Sequence, residues 1–286
     1  MFVNAIEKVG GFTRPLLYIS RTYKSTVVHP GSLTMFFVNE EGCAVTNRAT
    51  AEVILSSQNT NSKYNAFKQS KAQLKAEGTL KAPVLKRLEA EYGYREGTVV
   101  NLKCHFVGCV APIKEITCHV SKKYDLAIIK FKDYEQTAYK GFAFFPAEGS
   151  EAKPGKFLCR LGYPFPEFSN FIYNGLNDDI EWGDLRNISA PRFPLEGMLT
   201  RNLMGDEGLF GFEMSNTVFR GQCGGPVFDE DGTVHGMIFN TRNLNTGFEV
   251  STNTGKKECL YPVSHCISAK TIKEFLKSNN VKYYEK

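Results

Sequence analysis

The chain has 286 residues, 42% of them hydrophobic and 13% aromatic, with a formal net charge of +5. That is enough apolar material for a substantial core, which excludes a disordered chain, and enough length for one large β domain or two ordinary ones. The charge excess is too mild to imply nucleic acid, which needs a clustered basic face, and no segment approaches the long apolar run of a membrane helix.

The first residues, Met1-Phe2-Val3-Asn4-Ala5-Ile6-Glu7-Lys8, carry no basic stretch followed by an apolar one, so no signal peptide is expected. Cys43, Cys104, Cys109, Cys118, Cys159, Cys223, Cys259 and Cys266 then read as reduced thiols in a cytoplasmic setting rather than as bridges. Cys104-His105, Cys109 and Cys118-His119 invite a zinc reading. Their spacing matches no common finger, and adjacent residues on a strand point to opposite faces, so no metal and no cofactor is expected.

A short helical opening, Val3 to Val9, precedes strand-like Leu16 to Ser20. Residues Ser32 to Asn47 place two apolar runs around Asn39-Glu40-Glu41-Gly42, which predicts a β-hairpin. Residues 57–97 break the β pattern. Tyr64, Phe67 and Leu74 fall near one helix face; Val84, Leu88 and Tyr92 fall on another, with Pro83 suited to a first turn and Gly93 to a stop. A helical hairpin over about 60–95 is expected, carrying Lys63, Lys68, Lys71, Lys75, Lys81, Lys86 and Arg87. This is either a solvated basic face or a docking surface for an acidic regulatory partner.

Strand-like Thr98–Phe106 and Ile116–Val120 follow, then Tyr124-Asp125-Leu126-Ala127-Ile128-Ile129-Lys130. A carboxylate opening a buried strand needs a partner, although Asp125 could also be a plain turn residue. Residues 134–155, with Pro146, Gly149, Pro154 and Gly155, read as a linker. A second β region starts near Lys156–Pro164. The weakly periodic stretch Phe165–Pro194 is long for a loop in a compact domain, which marks it as functional or mobile. Strands are expected at Gly197–Thr200 and Gly208–Met214, and a closing helix at Ala269–Ser278 with Ser268 as its N-cap. Between them lies Arg220-Gly221-Gln222-Cys223-Gly224-Gly225-Pro226. Glycines around a reactive side chain allow a tight turn with positive φ, which can aim successive N–H groups at one point, as an oxyanion hole requires. The plainer alternative is a Gly-rich hairpin with a structural cysteine.

Three of these windows together resemble the trypsin/chymotrypsin clan of peptidases. The Cys223 stretch resembles the clan's G-x-S-G-G-P nucleophile loop, with cysteine for serine as in the viral cysteine peptidases of that fold. The resemblance implies that Cys223 is the nucleophile and that the N–H groups of Gly221 and Cys223 form the oxyanion hole. The Asp125 stretch resembles the segment carrying the triad aspartate, whose role is to orient an imidazole. The hairpin resembles the HtrA-like bacterial branch, in which Thr-Asn and one variable residue precede the catalytic histidine. Thr46 and Asn47 match, Arg48 is the variable residue, and Ala49 stands at the histidine position. Alanine cannot take a proton. Ala49 is then either an inactivating substitution, which the otherwise complete site favours, or the natural residue of a pseudoenzyme.

By this resemblance the chain is mostly β: a trypsin-like double β-barrel with an inserted helical hairpin and a C-terminal helix, closest to intracellular bacterial trypsin-like peptidases. Residues 1–140 hold the N-terminal segment and first barrel, and 141–286 the second barrel and helix, together one peptidase domain. No PDZ-like extension is implied. The implied activity is endopeptidase cleavage of protein or peptide substrates. Phe239, Asn240 and Thr241 would pair with the substrate, and Thr217 would sit at the base of the S1 pocket. With no acid at Thr217, a strong Arg/Lys preference is not expected. A peptide-binding pseudoprotease is the second reading. A nucleic-acid or membrane-surface adaptor using the basic hairpin is a third, with neither a specific nucleic acid nor a membrane expected as partner.

Overall fold

The computed structural model describes every residue except Asn187, Thr254 and the side chain of Thr252. The chain opens with helix α1 (Val3–Phe12), which buries Ala5, Val9 and Phe12. Strands β1 (Thr13–Thr22), β2 (Val28–Phe37) and β3 (Cys43–Thr46) follow. The β2–β3 turn is fixed by its own residues: Asn39 Oδ1 accepts from the N–H groups of Glu41 and Cys43 at 3.0 and 3.2 Å, the first of these closing an Asx turn, and Gly42 supplies φ +70° at no steric cost.

Helix α2 (Arg48–Ala76) and helix α3 (Ala82–Tyr92) come next. Then come β4 (Val99–Phe106), β5 (Val110–Ala111), β6 (Glu115–Val120), β7 (Ala127–Lys132) and β8 (Gln136–Thr137). The major strands form a six-stranded sheet in the order β4-β1-β2-β3-β7-β6, with β5 and β8 paired separately. Its two edge strands do not pair; α2 lies against both β4 and β6. Asn61 of α2 binds the edge of β4 through both ends of its amide: Nδ2 donates to Leu102 O at 2.7 Å, and Oδ1 accepts from Leu102 N at 3.0 Å. A side chain thus satisfies backbone groups that an edge strand otherwise leaves open.

The inserted helices differ from the sequence expectation in one respect. The first begins at Arg48, directly after the hairpin, instead of near residue 60. Asn47 is its N-cap, with Oδ1 accepting from Thr50 N and Thr50 Oγ1. The first turns, Arg48 to Leu55, are followed by Ser56-Ser57-Gln58-Asn59-Thr60-Asn61, a run rich in weak helix formers that interrupts the helical pattern before Tyr64. Farther on, Tyr64, Phe67 and Leu88 pack with Tyr23 and Tyr94 into an aromatic cluster, and Gly93 ends α3 at φ +70°. Lys63 and Lys68 of the basic face serve this cluster, over the rings of Tyr94 and Tyr64.

The linker contributes β9 (Phe144–Phe145). It leads to β10 (Phe157–Gly162), the hairpin β11 (Phe171–Asn174) and β12 (Asp179–Trp182), then β13 (Phe193–Gly205), β14 (Gly208–Met214) and β15 (Pro226–Phe228). The long pair β16 (Val234–Thr252) and β17 (Gly255–Ser268), helix α4 (Ala269–Ser278) and β18 (Tyr284–Glu285) complete the chain. A closed barrel runs β10-β13-β14-β17-β16-β15. Its inner face holds Leu158, Leu199, Phe212, Met214, Val227, Ile238 and Cys266. The alternate residues Cys159, Leu161, Phe228 and Ile267 face outward into the larger core shared with α1, α4 and the first sheet, as a period-2 strand dictates. Ser268 caps α4 as expected, accepting from Thr271 N at 3.3 Å. The stretch 165–194 is not one open loop. Its β11–β12 hairpin packs Ile180 against Leu17 and Ile19 and ties to β1 through Arg21 and Asp178, 3.0 Å apart. No helix among the described residues is long and apolar enough to cross a membrane.

Candidate active site

The two β units meet where the β3–α2 junction faces the β14–β15 connection. Thr34 on β2 is the pivot: its Oγ1 donates to Gly221 O at 2.7 Å and accepts from Tyr163 N at 3.0 Å. Ser32 Oγ donates to Tyr163 O. The 219–226 turn is held by its own backbone. Gly224 N donates to Ile238 O at 2.8 Å, Ile238 N to Gly225 O at 3.0 Å and Gly225 N to Gln222 O at 3.0 Å. Gln222, fully buried, clamps the turn: its Oε1 accepts from Phe219 N, and its Nε2 donates to Phe193 O.

Two glycines here are needed as glycines. Gly221 has φ +97° and Gly224 φ +89°. A Cβ on Gly224 would sit 2.3 Å from Thr34 O and 2.4 Å from Thr46 Oγ1. That close approach brings Cys223 beside Thr46-Asn47, the end of the hairpin read as leading to the base position. Among the described residues no carbonyl or side-chain oxygen accepts from the N–H of Gly221 or Cys223. Cys223 is half-buried. Burial, and then the nearby Asp125 carboxylate, push its thiol up to about 11, against a smaller pull from Arg160 and its own N–H.

Asp125 lies just before β7, half-buried. Its Oδ1 accepts from Arg48 N at 2.8 Å, so the carboxylate faces the first turn of α2, next to Ala49. Burial raises the Asp125 pKa, and Glu52 adds to the rise; the Arg48 N–H, its charge and Asn47 oppose it without cancelling it. Ala49 itself is exposed. The structure therefore brings Cys223, Asp125 and the start of α2 into one corner. His235 and His265 stand elsewhere, paired with Asp229 and Glu213.

Thr217 is half-buried in the segment leading into the nucleophile turn. Phe239 falls at a register shift of β16: Ile238 pairs with Cys266 and Asn240 with His265, leaving Phe239 as the extra residue. Such a bulge re-aims side chains. Beyond Met237, β16 pairs with β17 on one side, while β15 has ended on the other. Asn240 and Thr241 thus lie along a strand edge that has no strand partner among the described residues. On the other side of the turn, Tyr18, His29, Pro30, Pro164, Pro166 and Arg220 line a cleft of about 400 Å³.

Several residues of this corner were not singled out from the sequence. Arg48 matters through its N–H and through a guanidinium that fastens the Ser121–Tyr124 turn at 2.7 and 3.2 Å. Thr34 and Gln222 had no sequence signal. Arg160 had one: a lone charge in the apolar strand Phe157-Leu158-Cys159-Arg160-Leu161, on the same face as Leu158. The cysteine–histidine pairs are separated as strand residues on β4 and β6. Among the described residues no three His, Cys, Asp or Glu side chains gather as metal ligands.

The family model for the trypsin-like peptidase domain matches residues 34–237. No curated protein sequence matches the chain. Among solved structures, the active form of the Rv3671c protease from M. tuberculosis is 13% identical, over 98% of this chain and 86% of that one, with a TM-score of 0.47. The HtrA-type protease AlgW with a decapeptide is 9% identical, over 98% of this chain and 68% of that one, with a TM-score of 0.48. The family match spans most of the sheet, the β3–α2 junction, Asp125 and the whole nucleophile turn; the chain belongs to the trypsin-like peptidase family.

Proposed function

We propose that this chain is the scaffold of a cysteine endopeptidase whose general base is missing at position 49. The observation that carries the reading is the corner itself: Asp125 hydrogen-bonded to the N–H preceding Ala49, with Gly224 seated on Thr46 and Asn47 one residue from Cys223. A histidine at 49 would stand between an acid that orients it and a thiol that needs it. In the reaction, Cys223 Sγ attacks the scissile carbonyl while the imidazole takes its proton and returns it to the leaving amine. Asp125 holds the ring, and the N–H groups of Gly221 and Cys223 receive the oxyanion. The resulting thioester is then hydrolysed.

As the chain stands, it is a poor hydrolase. A thiol at about 11 is thiolate in roughly one molecule in 10⁴ at pH 7. Ala49→His should raise cleavage of a broad peptide library by at least about 10²-fold, the usual worth of a placed general base. Cys223→Ala in that background should abolish it. Alkylation of Cys223 should also accelerate, because an imidazolium favours the thiolate. If Ala49→His neither cuts peptide nor speeds alkylation, the same groove is that of a peptide-binding pseudoprotease. The 1–140 and 141–286 division follows from this reading, since each part supplies half of the corner.

A further inference from the structure

The inner face of the second barrel contains one group that does not belong in an apolar interior. Arg160 on β10 sits opposite Val227 of β15 and is fully buried. Its Nη1 donates to Ser264 Oγ at 3.0 Å. Its Nε and Nη2 are buried with no hydrogen-bond partner among the described residues. The ionisable groups acting most strongly on it are the thiols of Cys266, Cys223 and Cys159, and among the described residues no carboxylate pairs with it. A buried cation with two idle donors and no counter-ion is costly, and such groups are retained where an anion comes to meet them.

Arg160 is linked through its neighbours to the segments that the peptidase reading assigns to the substrate groove. Ser264, which holds the guanidinium, donates to Asn216 Oδ1 at 3.4 Å, next to Thr217. Ser264 also pairs in register with Thr241 on the open edge of β16. Cys223 and Val218 pack against the same inner cluster that holds Val227. The Thr217 segment, the β16 edge and the nucleophile turn therefore converge on one guanidinium. Resting on the peptidase reading, we infer that Arg160 is the specificity residue of the S1 pocket, and that this pocket takes a substrate side chain ending in a carboxylate, Glu or Asp. A planar guanidinium with two free donors matches a carboxylate in a bidentate pair. In this structure the guanidinium is covered, so the substrate side chain reaches it by displacing the half-buried side chains of the 215–218 segment.

The test uses the Ala49→His chain and peptidyl chloromethyl ketones that differ only at P1, with labelling of Cys223 followed by intact mass. Glu at P1 should label at least about tenfold faster than its isostere Gln, a floor well inside the roughly 10⁴–10⁵-fold by which a site built to pair a polar group can reject an analogue lacking it. Arg160→Met should erase that ratio while labelling by an Ala peptide continues. Equal rates for Glu and Gln, or faster labelling with Lys, while the Ala peptide still reacts, would overturn the assignment and leave the peptidase reading standing. If no ketone labels any variant, the peptidase reading fails, and calorimetry decides the pocket separately. Unreactive peptides ending in Glu or Gln are titrated into the Cys223→Ala protein: about tenfold tighter binding of Glu supports the pocket, and equal or no binding overturns it. The Glu-to-Gln ratio with Arg160 intact decides even where Arg160→Met fails to fold.

Discussion

Two carboxylates beside loop–strand junctions are shifted in opposite directions. Asp229, after β15, is opposed by burial, yet His235, Lys156 and the Thr233 N–H together hold its pKa well below the usual range. His235 Nε2 lies 2.9 Å and Lys156 Nζ 3.0 Å from Oδ2, while Oδ1 accepts from Asp231 N and Thr233 N. Asp125 has one backbone donor from Arg48, and there burial prevails and the pKa rises. The Asp229–His235 pair is the kind of partnership that Asp125 would have with a histidine at position 49. A carboxylate left in a half-buried corner with fewer donors than it can use marks the place where a partner belongs.

The largest expected effect comes from removing Asp125 in two backgrounds. With Ala49→His in place, Asp125→Asn should cost about 10³–10⁴ in kcat/KM, because the amide cannot hold the same imidazole tautomer. In the parent chain the same substitution should leave the melting temperature at pH 7 unchanged or higher. The sign follows from the upward shift: a raised carboxylate pKa contributes stability only at pH below its ordinary value, near 4, and loses it as pH rises through the folded pKa. Equal activity losses from Asp125→Asn and from a remote surface change would break the comparison.

Much of this was legible in the sequence. The hairpin from Ser32 to Asn47, the Asp125 stretch, the Cys223 turn and the α4 cap occur where local pattern and turn chemistry fix the backbone. The start of α2 was not legible, because a run of Ser, Gln, Asn and Thr at 56–61 separates its first turns from the periodic Tyr64 and Phe67, and the long-range contact of Asn61 with β4 helps hold that run in the helix. Nor was the β11–β12 hairpin, whose short strands are secured to β1 and β4 by ion pairs from Arg21 and Lys103 to Asp178 and Asp179. Pairing across such distances leaves no periodic trace. Thr34 and Arg48 act through backbone partners far along the chain, and Gln222 joins nearby Phe219 to distant Phe193, so their types alone announce nothing.

A middle-sized effect separates the nucleophile turn from ordinary glycine turns. Gly224→Ala would add a Cβ at φ +89° into Thr34 O and Thr46 Oγ1. It should cost about 2–4 kcal/mol of stability, or move the turn enough to silence Cys223 in the Ala49→His background. Gly149 has φ +84° and nothing within 4 Å of its would-be Cβ. Gly149→Ala should cost only about 1 kcal/mol and leave Cys223 alkylation unchanged. Equal costs at the two positions, measured by urea denaturation, would show that the turn owes nothing to its seat against the first sheet.

The smallest effect tests the other side of the comparison. Asp229→Asn keeps the shape but removes the charge that His235 and Lys156 share. Because Lys156 is 40% exposed, solvent screens its share, and the loss at pH 7 should be about 1–2 kcal/mol, carried mainly by the buried His235 and backbone donors. The pH dependence has the opposite sign to that of Asp125. A depressed carboxylate contributes stability above its unfolded value, near 4, and loses it as pH falls toward the folded pKa. The gap between parent and Asp229→Asn should therefore be full at pH 6–7 and shrink steadily below about pH 4, whereas Asp125→Asn should open no such gap in the parent. If Ala49→His makes Asp125 behave like Asp229, with acid now narrowing the difference between the Ala49→His chain and its Asp125→Asn derivative, the new imidazole has taken the place that the corner was built to hold.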